Sequence, residues 1–145
     1  MSTVPEWVGP YVGLPYKDKG RGPDAWDCWG GVRMVYAEVF GLALPDYSEA
    51  YSAAKDHASV AAAVAVGLAD GWAPVEKPQV GDLLILKIAQ RPWHCALMVT
   101  SDKFLHWPPP DRRGVQMLSC WERLDSPQWA KRIEGFYRST MAAPN

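Results

Sequence analysis

The chain has 145 residues, 48% of them hydrophobic and 21% charged, and a net charge of -1. A chain of this length buries roughly 68 to 70% of its unfolded surface, so residues 1–145 are expected to form one domain around one core. The near-zero charge offers no basic excess to draw nucleic acid or anionic lipid. Eight tryptophans and thirteen prolines point to wide aromatic packing, rigid loops or a groove lined by rings.

The opening Met1-Ser2-Thr3-Val4-Pro5-Glu6 lacks the basic stretch and apolar run of a secretory signal, and no segment reaches about 18 consecutive apolar residues. Cytoplasmic synthesis without membrane insertion is the expectation. Cys28, Cys95 and Cys120 are odd in number and far apart, which suits neither a disulfide framework nor a C-x-x-C zinc site; reduced thiols are expected.

Trp7 to Asp27 is broken by Gly9-Pro10, Leu14-Pro15 and Gly20-Arg21-Gly22-Pro23 and reads as a loop-rich entry. From Cys28 the pattern changes. Val32, Val35, Tyr36 and Val39 share one helical face with it, and Gly41 supplies a C-terminal stop. Ser48 to about Ala69 is alanine-rich with helical spacing, Ser48 as N-cap and Gly71 as stop, giving a second helix. Four short β-rich runs follow, Leu83 to Ile88, His94 to Thr100, Lys103 to Trp107 and Val115 to Leu118. A last strand at Arg132 to Arg138 closes an antiparallel sheet, and Ser139 to Asn145 reads as a frayed tail. Helices first and strands later make an α+β architecture. No internal repeat is visible.

Cys28 falls in the first turn of the first helix, where free amides and the positive end of the dipole favour a thiolate. Asp27 can cap that helix, and Gly30 and Gly31 permit close approach. Either a buried helical cysteine or a nucleophile fits. His94 opens a strand on the face of Ala96 and Met98; it reads as a structural histidine or as the partner of Cys28, with the small Ala96 leaving room for the incoming helix end. Cys95 faces the other way and reads as core.

His106 lies 12 positions beyond His94. To orient the His94 ring it must stand near it, which an even hairpin loop forbids and a three-residue loop over Thr100 to Asp102, or a β-bulge, allows. His57, beside Lys55 and Asp56, reads as a solvated surface residue, and zinc would need ligands drawn from distant parts of the chain. Trp26 and Trp29 form either an aromatic wall beside the thiol or part of the core. Pro108-Pro109-Pro110 reads as a stiff lip or a surface turn.

The strings Gly13-Leu14-Pro15-Tyr16, Asp27-Cys28-Trp29-Gly30, Gly81-Asp82-Leu83-Leu84, His94-Cys95-Ala96-Leu97-Met98 and Lys103-Phe104-Leu105-His106 resemble, in order and spacing, the NlpC-type cell-wall peptidases across about residues 11 to 138. Within them, Val32-Arg33-Met34-Val35-Tyr36 and Leu44-Pro45-Asp46-Tyr47-Ser48 look most similar to proteins of tailed phages and phage-like particles.

The resemblance implies a circularly permuted papain-like fold with Cys28 as nucleophile, His94 as base and then acid, and His106 as orienting residue. It also implies Tyr16 near the thiol as a substrate or oxyanion contact, Asp27 as a substrate contact, and no cofactor or metal. The substrate it implies is bacterial peptidoglycan peptide, commonly cut between a γ-linked D-glutamate and a diamino acid. Tail-tip or baseplate proteins are the partners it implies, with the assembled virion tail carrying the chain to the wall. Trp29 departs from the serine that many members carry after the nucleophile, so the site for the substrate's amino end differs. A non-catalytic tail-tip subunit and a thiol acyltransferase on the same fold remain the alternatives.

Overall fold

The computed structural model describes residues 3–47, 64–65, 67–88, 91–111 and 113–140. A short 3-10 helix, η1 (Glu6–Tyr11), leads through the Gly- and Pro-broken entry to α1 (Cys28–Val39). Asp27 begins α1 because its carboxylate accepts the Gly30 N–H at 2.7 Å, satisfying one of the amides that a helix start leaves open. The helix stops at Phe40, and Gly41 takes the positive φ of 67° that a left-handed exit requires. Most of the expected second helix, and His57 with it, lies outside the described residues; 64–65 and 67–68 are helical and a turn follows at 69–71.

Among the described residues, six strands build one sheet in the order β1-β6-β2-β3-β4-β5: β1 (Trp72–Val75), β2 (Leu83–Ile88), β3 (Arg91–Met98), β4 (Lys103–His106), β5 (Cys120–Arg123) and β6 (Ile133–Ser139). All neighbours pair antiparallel, so the α+β architecture stands. Leu83-Leu84-Ile85-Leu86 is apolar without alternation because both faces of β2 are covered. Leu83 and Ile85 join the α1 side with Val32, Val35, Leu97 and Trp107, while Leu84 and Leu86 join Ala96, Met98, Phe104 and Trp129 on the other.

Four details differ from the sequence reading. Val115 to Leu118 is not a strand: Asp111 accepts the Arg113 and Val115 amides, Val115, Met117 and Leu118 stay exposed, and one isolated bridge joins Leu118 to Pro15. The strand there is β5, five residues further on. β1 contains Pro74, tolerated because β1 is the sheet edge. Ser139 is no part of a frayed end, since it pairs with Trp72. Finally, α1 packs on the face of Cys95 and Leu97, so Ala96 does not make room for it.

The β3–β4 connection is the three-residue loop expected from the register argument. Leu97 faces Leu105 and Met98 faces Phe104, the Val99 amide donates to the Lys103 carbonyl, and the same register sets His106 across from Ala96.

Two glycines let the start of α1 reach the sheet. A Cβ at Gly30 would overlap the Gly20 carbonyl, and one at Gly31 would overlap the Trp107 ring. Gly31→Ala should therefore destabilise the fold by roughly 1–3 kcal/mol, as overpacking does, read as a lower urea midpoint at an unchanged m-value. A midpoint equal to that of the parent would show that Trp107 can yield.

Candidate active site

Cys28 is the first residue of α1 and is 8% exposed, within the core cluster that joins helix to sheet. Two groups contact its thiol, Cys95 and His94, both on β3. Its pKa falls to about 5, chiefly because the Cys95 S–H donates to it and next because of His94, against the opposing cost of burial. Cys95 is thus buried as expected but does not point away from the site; the neighbouring Cys28 pushes its own pKa up, so Cys95 keeps the proton.

His94 and His106 are both fully buried. His94 Nε2 lies 2.8 Å from His106 Nδ1, and the His94 ring adjoins the Cys28 thiol. Burial holds the His94 pKa below its ordinary value, although the Cys28 contact opposes this. The His94 ring stacks on Trp129 with centroids 5.6 Å apart and planes inclined by 22°, and His106 meets the same indole edge-on at 5.3 Å.

The chain of contacts continues to a residue the sequence reading did not single out. His106 Nε2 lies 2.5 Å from Glu122 Oε2, which also accepts the Trp129 indole N–H at 2.9 Å. The His106 hydrogen bond holds the Glu122 carboxyl below the usual carboxylate range. The missed signal was the Cys120-Trp121-Glu122-Arg123 alternation, whose inward side places Cys120 opposite His106.

Asp27 is buried and committed, its Oδ1 accepting from both Gly30 and Arg21 Nη1 at 2.8 Å. The Tyr16 hydroxyl is buried near Cys28 and donates to Asp18 at 3.1 Å; burial, then the Cys28 charge, raises its pKa. Trp29 donates its indole N–H to the Pro45 carbonyl at 2.9 Å and packs on Tyr47, whereas Trp26 packs on Trp107 in the core. The two indoles therefore have separate partners.

Among the described residues, one group sets three potential metal ligands within 4.8 Å: His106, Cys120 and Glu122. Its atoms are already engaged with one another, since Glu122 takes His106 and Trp129, and burial lifts the Cys120 thiol to about 11. The group reads as a hydrogen-bond relay.

The model of the NlpC/P60 family matches residues 13–138. Protein P54 of Enterococcus faecium is 29% identical over 100 residues, which are 69% of this chain and 16% of that protein. The chain therefore spans a small part of that relative's length. A crystal structure of an NLP/P60 family protein, similar to lipoprotein, from Staphylococcus aureus subsp. aureus Mu50 superposes with a TM-score of 0.64 at 22% identity, covering 92% of this chain and 39% of that one. The NlpC/p60 domain of the peptidoglycan hydrolase SagA gives 0.57 at 20% identity over 90% of both chains. These likenesses establish a shared fold.

At pH 7 iodoacetamide should label Cys28 well ahead of Cys95 and Cys120, as read by peptide mass spectrometry, because only Cys28 has a lowered pKa. Cys95→Ala should move the midpoint of the Cys28 labelling curve upward by removing the donor that most favours its thiolate. An unmoved midpoint would deny Cys95 that part.

Proposed function

We propose, for a chain that belongs to the NlpC/P60 family, that it is a cysteine endopeptidase acting on the peptides of bacterial peptidoglycan. The observation that carries this reading is the continuous contact from Cys28 through His94 to His106, with its 2.8 Å imidazole pair buried beside a thiol of lowered pKa. A thiolate at a helix start next to two linked imidazoles is suited to acyl transfer.

In the proposed cycle Cys28 gives its proton to His94, and the resulting thiolate attacks a peptide carbonyl carbon, forming a C–S bond as the carbonyl π pair moves to oxygen. That oxygen is met by the Cys28 backbone N–H, at a helix start where amides lack intrahelical carbonyls. Tyr16 supplies a second donor by turning from Asp18. The intermediate collapses, the C–N bond breaks, and the departing amine takes a proton from His94. His94 then removes a proton from water, which attacks the thioester and releases the acid and the Cys28 thiolate.

The sequence pattern supports a finer reading. The bond is that between γ-D-glutamate and the following diamino acid, and the chain is a tail component of a phage or phage-like particle, docked on tail-tip or baseplate proteins. Asp27 serves substrate binding indirectly, by fixing the loop and helix start that carry Cys28, and Trp29 shapes the wall next to it through its anchor on Pro45.

Incubation with purified peptidoglycan peptides of several wall chemistries, followed by mass spectrometry, should give new amine and acid termini with the parent chain and none with Cys28→Ala. His94→Ala should cost roughly 10²- to 10⁴-fold in rate, the usual contribution of a positioned acid–base group. Folded parent protein that cleaves none of these peptides would favour the tail-subunit alternative, and thioester transfer to an added amine would favour the acyltransferase.

A further inference from the structure

Glu122 sits on β5 opposite Phe104, outside every motif that carries the family resemblance. Its Oε2 accepts from the His106 ring at 2.5 Å and the Trp129 indole at 2.9 Å, with the Cys120 thiol at 4.0 Å. A carboxylate has no proton to give, so the proton in the first contact belongs to His106 Nε2. A neutral His106 then presents a lone pair at Nδ1, and the 2.8 Å contact requires His94 Nε2 to be the donor. His94 Nδ1 then carries the lone pair, on a ring that adjoins the Cys28 thiol. The two hydrogen bonds of the row, His94 to His106 and His106 to Glu122, both point toward the carboxylate.

We infer that Glu122 is a positioning residue: through His106 it fixes the tautomer of His94 so that Nδ1 is the atom that exchanges the proton with Cys28, and its charge supports the imidazolium that forms. Trp129 completes the device, since one indole both donates to Glu122 and packs against both imidazoles. The role rests on the peptidase reading above and adds a residue to it. The reverse tautomer, with His94 protonated on Nδ1 and neutral, offers no acceptor to the thiol.

Among the described residues, Cys95, Asp27 and Tyr16 stand around the Cys28 end of the row. Cys28 on α1 and His106 on β4 face His94, while Cys120 and His106 face Glu122; Arg132 lies over the Trp129 ring at 5.5 Å. Glu122 pulls the His94 pKa up, in opposition to burial. Loss of its charge therefore lets His94 shed its proton at lower pH and leaves the Cys28 thiolate with less positive charge to pair with. In a pH–rate profile the alkaline limb moves down and the acid limb moves up.

The test compares the parent chain with Glu122→Gln in the kcat/KM profile on peptidoglycan peptides and in the pH dependence of Cys28 alkylation by iodoacetamide. The variant should lose roughly a hundredfold in kcat/KM with KM little changed, the low end of an acid–base contribution; its kcat/KM profile should narrow from both sides, and its alkylation midpoint, which reads the thiol alone, should move up. Profiles superimposable on those of the parent would overturn the inference. Long-range 1H–15N NMR of the parent chain needs no variant: a proton on His106 Nε2 and on His94 Nε2 is expected, and neutral His106 protonated on Nδ1 would overturn it. If the parent chain cleaves no peptide while Glu122→Gln still raises the midpoint of the alkylation curve, the positioning role stands and the peptidase reading falls.

Discussion

The site depends on how the first turn of α1 is anchored. Asp27 Oδ1 accepts the Gly30 amide and the Arg21 guanidinium together, while Arg21 also binds the Gly20 carbonyl and both the side chain and the carbonyl of Asp46. Entry loop, helix start and the segment after the helix are thereby tied through one buried carboxylate. A charge so placed is stable only because each contact is charge-assisted and satisfied. Removal of either partner would leave the other uncompensated, so the thiol, one residue from Asp27, inherits its position from this knot. Gly30 and Gly31 set the remaining coordinate by bringing the helix against Gly20 and Trp107.

The sheet supplies the second half. Because both faces of β2 and β3 are covered, the centre of the sheet is a dry layer in which Cys28 approaches from the α1 side while His94 and His106 share their surroundings with Trp129 and Phe104. Low polarity strengthens each hydrogen bond in such a row and makes each missing one costly. That explains why the polar path does not stop at His106. An imidazole pair buried at zero exposure needs a terminal acceptor, and Glu122, a quarter exposed at its side chain, is where the row reaches solvent.

Legibility in the sequence followed the strength of the local signal. α1 was readable because capping residue, apolar face and stop glycine agree, and β2 because four consecutive large aliphatics admit little else. The odd β3–β4 loop follows from the chemistry demanded of His106, because strand parity leaves few choices. β1 was hidden by Pro74, which only an edge position permits, and edge status is a tertiary fact. β5 was hidden by the apolar Val115-Gln116-Met117-Leu118, a strand-like string that the Asp111 turn leaves exposed. Two residues of the site were missed, for different reasons. Glu122 went with β5, and Cys95 was assigned to the core by alternation alone, which gives the face of a strand but not what packs on it.

Cys95 and Glu122 act on opposite ends of the same proton path, and their effects differ in kind. The Cys95 S–H stabilises charge on Cys28 without regard to where the proton has gone, whereas Glu122 favours one destination, His94 Nδ1, and one protonation state, the imidazolium. A thiolate alone can attack, but an amine leaves poorly unless protonated, so cleavage needs both the low thiol pKa and a charged His94 at the same pH. Burial lowers the His94 pKa and works against that requirement. Since His106 is an imidazole without a fixed negative charge, it can pass on orientation but not the full counter-charge; a carboxylate behind it supplies what burial takes away. The need for an acid as well as a nucleophile thus accounts for a row that runs two residues past the imidazole in contact with the thiol.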